Sequence, residues 1–410
     1  MRPGSTSQPA TTISVIVPAR DEAGRIAACL QALAACRPAP LEVLVVDDAS
    51  RDGTAALARA QGATVLELPG ARGPAAARNL AGRLARGDIL LFTDADVRVH
   101  PDATARVLEA LADPAIDAVV GSYDDEPGDP GFVSQYRNLL HHHVHQRGRA
   151  QASTFWTGCG AVRRDVFLAL GGFNEGYGQA CIEDIEFGAR LLAAGRRVRL
   201  AHDLQARHDK RWTLGSVVTT DVLRRGSAWV ALMLRERVLV SDLNVSPLQR
   251  LAALATGLLW LAAAVLVATG HAAALLPLAT WLLLAWALAP RSSPGPLGPG
   301  DRLAAGGALA AVLATAWLAG DGLAAAVLLP AAAVLALDQS FLRLLLRKRG
   351  ARFAFAAAAL RLLYFTCCLV SVPLGVVQHL RDAARARRTR QGPGVRRLAP
   401  LHGPVAADPP

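Results

Sequence analysis

The sequence predicts a two-part molecule: an α/β domain built on a mostly parallel sheet, followed by an α-helical transmembrane domain. Three observations carry this. Short apolar runs alternate with helix-like segments from Thr12 to about Val240, as βαβ units do. Leu248 to Val377 is dominated by Ala and Leu. The 410 residues are 52% hydrophobic with a mean hydropathy of +0.29, too apolar for a wholly soluble protein. The boundary falls near Ser241 to Pro247.

Ile13 to Val17 (ISVIV) reads as the first strand, stopped by Pro18 and followed by a helix over Ala19 to Cys36 with an acidic first turn. Leu41 to Val46 is a second strand ending in the cluster Asp47 to Thr54, and Thr54 to Ala60 starts another helix. Ala63 to Leu68 is a third strand, and Gly73 to Ala85 a helix containing Arg78 and Asn79. Ile89 to Phe92 is a buried parallel strand, because a short continuous apolar run bounded by Gly87-Asp88 and by carboxylates suits a strand covered on both faces. Ligands of open α/β sheets bind beyond the carboxyl ends of the strands. The clusters Ala19 to Glu22, Asp47 to Asp52 and Asp94 to Asp96 therefore share the ligand edge. In an extended segment residues i and i+2 point to one side, so Asp94 and Asp96 can converge on a divalent cation. Hard cations take one or two carboxylates plus substrate phosphates, which suggests a metal-bound diphosphate.

Asp117 to Gly121 reads as a further strand, and Tyr123 to Gly131 as a turn-rich acidic loop. Phe132 to Arg149 carries His141, His142, His143 and His145. On a helix His141 and His145 share a face, a spacing that can hold metal. With no carboxylate or cysteine nearby to complete a site, packing is the better reading. Gly158 and Gly160 in FWTGCG permit close backbone approach to a ligand. Glu183 and Asp184 open a helix that ends at Gly195, where acidic residues ordinarily offset the helix dipole. Arg196 to Ala201 is strand-like and leads to His208-Asp209-Lys210-Arg211-Trp212. The six cysteines show neither C-x-x-C nor zinc spacing, so reduced buried thiols are expected. MRPGSTSQPATT has no apolar core and does not read as a signal peptide.

The net charge of +11 is concentrated in Leu342 to Arg352 and Arg381 to Arg397, beside hydrophobic segments. It reads as cytoplasmic anchoring on anionic lipid rather than nucleic-acid binding. Leu214 to Val240 suits amphipathic helices on a membrane surface. Leu248 to Thr269, Ala272 to Ala289, Leu303 to Ala319 and Leu323 to Leu337 are apolar segments at or slightly below spanning length. Paired as two hairpins, they leave RSSPGPLGPGDR and FLRLLLRKRGAR inside. Phe353 to Val377 either spans or, with Pro373 and Gly375, lies at the interface; the reading adopted keeps the tail cytoplasmic. The expected organisation is a disordered N-terminus (1–11), a catalytic domain (12–212), interface helices (213–247), a membrane domain of four to five segments (248–380) and a disordered basic tail (381–410).

SVIVPARDE, VLVVDDASRDGT, GPAAARNLA, GDILLFTDADV, GGFNE and IEDIEFGARLLAAG, in this order, resemble the family 2 glycosyltransferases of the GT-A fold over roughly Ile13 to Arg211. The resemblance implies inverting transfer of a sugar from a UDP- or GDP-sugar, with Mg²⁺ or Mn²⁺ as cofactor. It assigns Pro18, Ala19 and Glu22 to the nucleotide-sugar site and puts Asp48 or its neighbour Asp47 on the donor base. It sets Arg78 near the nucleotide, Asp96 on the metal, and Asp94 on ribose or metal. A carboxylate accepts from a uracil or guanine N–H, and the arginine fork suits a diphosphate. Gly158 falls in the floor of the sugar pocket. Asp184 becomes the general base that takes the acceptor hydroxyl proton, and Glu183 positions it or the acceptor. His208 to Trp212 occupies the place of the Gln-x-x-Arg-Trp motif of processive synthases, with His208 for Gln, which disfavours polymer synthesis. His208 could ligate the metal or bond the diphosphate, while Arg211 and Trp212 could hold the pyrophosphate and an acceptor ring.

The expected function is transfer to a lipid or polyprenyl-linked acceptor at the cytoplasmic face of the inner membrane. Polyprenyl phosphate, diacylglycerol and a hopanoid-like lipid all fit. A processive polysaccharide synthase is the alternative within enzymes. A nucleotidyltransferase would want a Gly-rich basic loop where the chain has Pro18 to Glu22. A transporter or scaffold with a vestigial domain is disfavoured by Asp96, Asp184 and the shortage of ionisable groups within the apolar segments.

Overall fold

A computed structural model describes residues 11–237, 246–290, 299–318 and 322–391. The expected disordered N-terminus, most of the domain boundary, most of the RSSPGPLGPGDR loop and the tail beyond Gln391 lie outside the described residues.

The N-terminal half alternates β1 (Ile13–Ala19), α1 (Ile26–Ala34), β2 (Glu42–Asp47), α2 (Thr54–Ala60), β3 (Thr64–Glu67), α3 (Pro74–Leu84) and β4 (Ile89–Thr93). It continues through β5 (Val97–Val99), α4 (Ala103–Leu111), β6 (Ala118–Tyr123), α5 (Phe132–Gln146), β7 (Cys159–Arg163), α6 (Arg164–Ala169), α7 (Glu183–Ala193) and β8 (Val198–His208). The strands form one mixed sheet in the order β3-β2-β1-β4-β7-β6-β8-β5. β1 to β4 pair in parallel, and β7 runs antiparallel to both β4 and β6. Alternate strand residues feed two apolar cores. Val15, Val17 and Leu91 pack with Ile26, Leu30 and Val107, whereas Ile16, Leu90 and Phe92 pack with Ala77, Phe167 and Phe187. Burial on both faces is why these strands read as unbroken apolar runs.

β1 does not stop before Pro18. Ala19 accepts from Asp48 N at 2.8 Å, so its polar groups face β2; those of Pro18, one residue earlier, face the side that β4 has left after Ile16. The missing N–H therefore costs no ladder bond. The following helix starts at Ile26 rather than Ala19, with no acid in its first turn. Side chains of the loop after β2 claim the intervening amides: Ser50 Oγ takes Asp21 N (3.0 Å), Thr54 Oγ1 takes Glu22 N (2.8 Å) and Asp52 Oδ2 takes Ala23 N (2.9 Å). Such side-chain acceptors compete with helix formation.

The helical half comprises α8 (Leu214–Thr219), a π-helical turn (Thr220–Gly226), α9 (Ser227–Glu236), α10 (Pro247–Ala268), α11 (Leu276–Leu288), α12 (Pro299–Leu318), α13 (Ala325–Leu337), α14 (Gln339–Arg349) and α15 (Ala351–Gln391). Among the described residues two helices, Pro247–Ala268 and Ala351–Arg385, are long and apolar enough to cross a membrane; α13 and α14, bent by 72°, make a third if counted as one. α15 runs unbroken through Pro373, and residues 381–391 are helical where disorder was expected. Ala and Arg there are strong helix formers, which lets the helix continue. The two halves meet along α5: Tyr136, Leu139, Leu140 and Val144 pack on Phe341, Leu345, Phe353 and Ala357. Arg137 binds Asp221 through two hydrogen bonds of 2.9 and 2.6 Å.

Candidate active site

The carboxyl ends of β1, β2 and β4 bring the expected clusters to one edge. The two carboxylates after β4 diverge there. Asp94 Oδ1 accepts from Arg78 Nη2 at 2.7 Å, and Arg78 Nη1 donates to Glu183 Oε1 at 3.0 Å. A buried guanidinium needs counter-charges, and it takes one from each side of the cleft. Arg78 thus ties the Asp94 turn to the start of α7. Asp96 instead faces His208, whose Nε2 lies 3.7 Å from Oδ2. Burial pushes the Asp94 carboxyl up despite Arg78. Burial acts on Asp96 too, but His208, Lys210 and Arg25 outweigh it and hold this carboxyl below its ordinary range.

His208 closes β8 opposite Val97, at the start of β5. Its Nδ1 lies 2.6 Å from Asn138 Oδ1, and its ring stacks on Tyr123 with centroids 4.2 Å apart. Among the described residues no group of three or more His, Cys, Asp or Glu forms a ready cation cage. Asp96 and His208 nevertheless fit as half of one. With Nδ1 bonded to an amide oxygen, Nε2 is the ring nitrogen turned towards the carboxylate. A ring nitrogen and a carboxylate facing one another suit a cation that draws its other ligands from phosphate and water.

Of the two candidates after β2, Asp48 is committed to the chain: Oδ1 accepts from Arg72 N (2.6 Å) and Oδ2 from Gly73 N (2.9 Å), steering the entry to α3. Asp47 accepts from Ser50 N through Oδ2 at 3.1 Å, and its buried Oδ1 has no hydrogen-bond partner. Glu22 pairs with Arg25 at 2.6 Å, and burial raises its carboxyl.

Glu183 and Asp184 occupy the first turn of α7, as the sequence predicts. Glu183 is fully used, Oε1 by Arg78 and Oε2 by Cys181 N at 2.9 Å. Asp184 keeps looser contacts, to Ile185 N at 2.8 Å and Thr157 N at 3.4 Å. Burial, with Glu183 beside it, pushes the Asp184 carboxyl up to about 6, against the pull of Arg225 and Arg78. The thiol of Cys181 donates to Arg224 O at 2.6 Å, and Ile182 packs on Ala228 and Leu232. The π-helical turn and α9 therefore touch the segment that carries Asp184.

Gly158 and Gly160 make room for a side chain of the chain itself. A Cβ on Gly158 would run into the Trp156 indole, and one on Gly160 into the Trp156 carbonyl. Both glycines cradle this tryptophan, which is packed by Tyr123 and His141. Trp212 donates its backbone N–H to Ser134 Oγ at 2.7 Å, and its ring lies 4.8 Å from Lys210 Nζ; Arg211 is exposed. The histidines of α5 are packed: the His141 and His145 rings stack at 3.9 Å, and His142, His143 and His145 reach Tyr123 O, Ser340 Oγ and Gly121 O. Burial drives the His141 ring well below its ordinary value, keeping it neutral. All six cysteines are free thiols. Asn138, Tyr123, Trp156, Arg25 and Lys210 escaped the sequence reading. A tryptophan followed at i+2 and i+4 by glycines was the one local signal.

The sheet and its carboxylate edge define a GT-A-like α/β domain, here followed by a region with long apolar helices. Residues 14–171 match the family model described as glycosyl transferase family 2, and the chain carries a family 2 glycosyltransferase domain. Glycosyltransferase AglE of Haloferax volcanii is 28% identical over 211 residues, 48% of this chain and 67% of its own. An uncharacterized glycosyltransferase of Haemophilus influenzae is 26% identical over 193 residues, 44% of this chain and 62% of its own. The chain thus spans about two thirds of the length of these curated relatives. The solved mannosyltransferase PcManGT from Pyrobaculum calidifontis, in complex with GDP-Man and Mn²⁺, is 22% identical, with 90% of this chain and 87% of that one covered at a TM-score of 0.42.

Proposed function

We propose that the chain is a membrane-bound inverting glycosyltransferase, passing a sugar from a UDP- or GDP-sugar to a lipid or lipid-linked acceptor at the cytoplasmic face. The observation that carries the reading is the chain of ion pairs Asp94–Arg78–Glu183, which joins the strand-end carboxylates to the helix bearing Asp184. Donor and acceptor chemistry then share one cleft. The unpartnered Oδ1 of Asp47 accepts from the N–H of the donor base. Asp184, whose Oδ2 has only a 3.4 Å contact, takes the proton from the acceptor hydroxyl as that oxygen attacks the anomeric carbon on the face opposite the leaving group. Glu183, held at both oxygens, keeps the base in place. Lys210 and Arg25, whose charges reach Asp96, help receive the departing nucleoside diphosphate. Mg²⁺ or Mn²⁺ on Asp96 and His208 would supply further positive charge there.

The lipid acceptor is supported by the direct packing of Ile182 on α9, which puts the base beside the helices that enter the apolar half. The cytoplasmic face is supported by Arg347, Lys348 and Arg349 at the end of α14, where Lys348 pairs with Asp125 of the catalytic half.

The test is purified full-length protein in detergent, incubated with UDP- and GDP-sugars, Mg²⁺ or Mn²⁺ and membrane lipid extract, with nucleotide release as the readout. Lipid-stimulated release from one donor is expected, with Asp184→Asn reduced by at least ~10²-fold and Asp96→Ala inactive. No release from any donor, together with no nucleotide binding, would overturn the reading.

A further inference from the structure

We infer that Asn138 is a positioning residue: it locks the His208 ring so that Nε2 is presented, with Asp96, to a divalent cation. The inference rests on the cation site of the proposed transferase. The three residues come from distant parts of the chain, on α5, at the end of β8 and after β4, and all are buried, with exposures of 1, 5 and 8%. Asn138 Oδ1 and His208 Nδ1 are 2.6 Å apart. An amide oxygen only accepts, so Nδ1 supplies the hydrogen of this bond and Nε2 is the nitrogen left to face the cation. Nε2 faces Asp96 Oδ2 at 3.7 Å, beyond hydrogen-bond distance. Stacking on Tyr123, with ring planes 7° apart, fixes the remaining freedom of the imidazole.

The other end of the asparagine argues for function rather than packing. Its Nδ2 is buried with no hydrogen-bond partner. Buried polar groups are nearly always satisfied, and a leucine of similar size would fill the position without an orphaned donor. An asparagine kept there is kept for its oxygen. α5 is itself pinned beside that oxygen: Ser134 Oγ accepts from Trp212 N at 2.7 Å, and Gln135 Nε2 donates to Asp129 O at 2.6 Å. Partners that orient a ligating histidine typically change metal affinity by about 10–100-fold when removed.

The test is Mn²⁺ binding by the full-length protein in detergent, read from the electron paramagnetic resonance of free Mn²⁺ with and without GDP or UDP. Pulsed measurements on bound Mn²⁺ would detect imidazole nitrogen. Asn138→Leu is expected to weaken binding by about 10–100-fold and to diminish the nitrogen modulation. Asn138→Asp, which accepts from the same N–H, should stay within a few-fold of the parent. His208→Ala should abolish the modulation. Parental binding by Asn138→Leu while Asp96→Ala loses the ion would overturn the role of Asn138 and leave the cation site standing. Equal weakening by the Asp and Leu variants would overturn it as well. If Asp96→Ala and His208→Ala both bind Mn²⁺ like the parent, the cation site itself is wrong.

Discussion

At the scale of single residues, Asp184 and Asp94 show how one arginine sets the state of a site. Asp184 is pushed up to about 6 by burial and by Glu183, and Arg78 opposes that rise. A general base works ionised, so kcat/KM should fall about tenfold per pH unit as pH drops below about 6, measured between pH 5 and 8 with saturating metal. Arg78→Met removes a charge that favours the ionised form, so the acid limb should move to higher pH. It also strands Glu183, and such losses cost about 3–5 kcal/mol for a buried pair, which thermal unfolding in detergent would read as a lower Tm. The place of Asp184 in the first turn of α7 was legible in the sequence because the start of a helix is a local pattern. The partners of Arg78 were not: Glu183 is 105 positions away, and which donor a guanidinium gives to which carboxylate depends on the packed cleft. The separate partners of Asp94 and Asp96 were not legible for the same reason. Extended geometry puts i and i+2 on one side, but each carboxylate turned towards its own cation or ring.

At the scale of elements, two glycines decide how α15 meets the interface helices. A Cβ on Gly375 would lie 2.5 Å from Val230 Cβ and 2.6 Å from Ser227 O, and one on Gly226 would strike Ser371 and the Asp221 carbonyl. The sequence reading took Pro373 and Gly375 as a possible break. The helix is continuous, and Gly375 is where another backbone comes close. Gly375→Ala should therefore lower stability by about 1–3 kcal/mol, as overpacking does, and reduce transferase activity because α9 braces the Asp184 segment. Gly306→Ala on α12, with nothing within 4 Å of its added Cβ, is the matched control. It should be neutral or stabilising by about 0.5–1 kcal/mol. Paired melting curves of the two variants separate a packing glycine from a merely helix-weakening one. β1 to β4, β6, α2, α3 and α7 were readable to within a few residues because their period is local, whereas β5, β7, α4 and α6 were not read as elements. The late start of α1 was not, since it is caused by side chains arriving from the loop after β2.

At the scale of the whole molecule, the course of α15 decides on which side of the membrane the chain beyond Gly375 lies. Hydropathy reads Phe353 to Val377 as a span because composition does not distinguish apolar residues covered by lipid from those covered by protein. α15 is tied to the catalytic half directly at one end of that stretch and through the interface helices at the other. Phe353 packs edge-on against Phe132 of α5 with centroids 4.9 Å apart. Ser371 Oγ donates to Asp221 O at 3.2 Å, and Gly375 abuts α9, whose Ala228 and Leu232 pack on Ile182 beside Asp184. Phe353 and Gly375 are separated by 22 helical steps, about 33 Å, close to the full thickness of a bilayer core at ~30 Å. A helix crossing the membrane over that length would carry one of these contacts to the far side, away from the catalytic half. α15 should instead lie along the interface between the catalytic domain and α10, with residues beyond Gly375 on the catalytic side. A C-terminal fluorescent-protein fusion should then fluoresce and a C-terminal alkaline phosphatase fusion should be inactive, with the same fusions at the N-terminus reporting the same side. An active C-terminal phosphatase beside a cytoplasmic N-terminus would make α15 a true span, and the contacts of Gly375 with α9 would then require α9 to enter the bilayer with it.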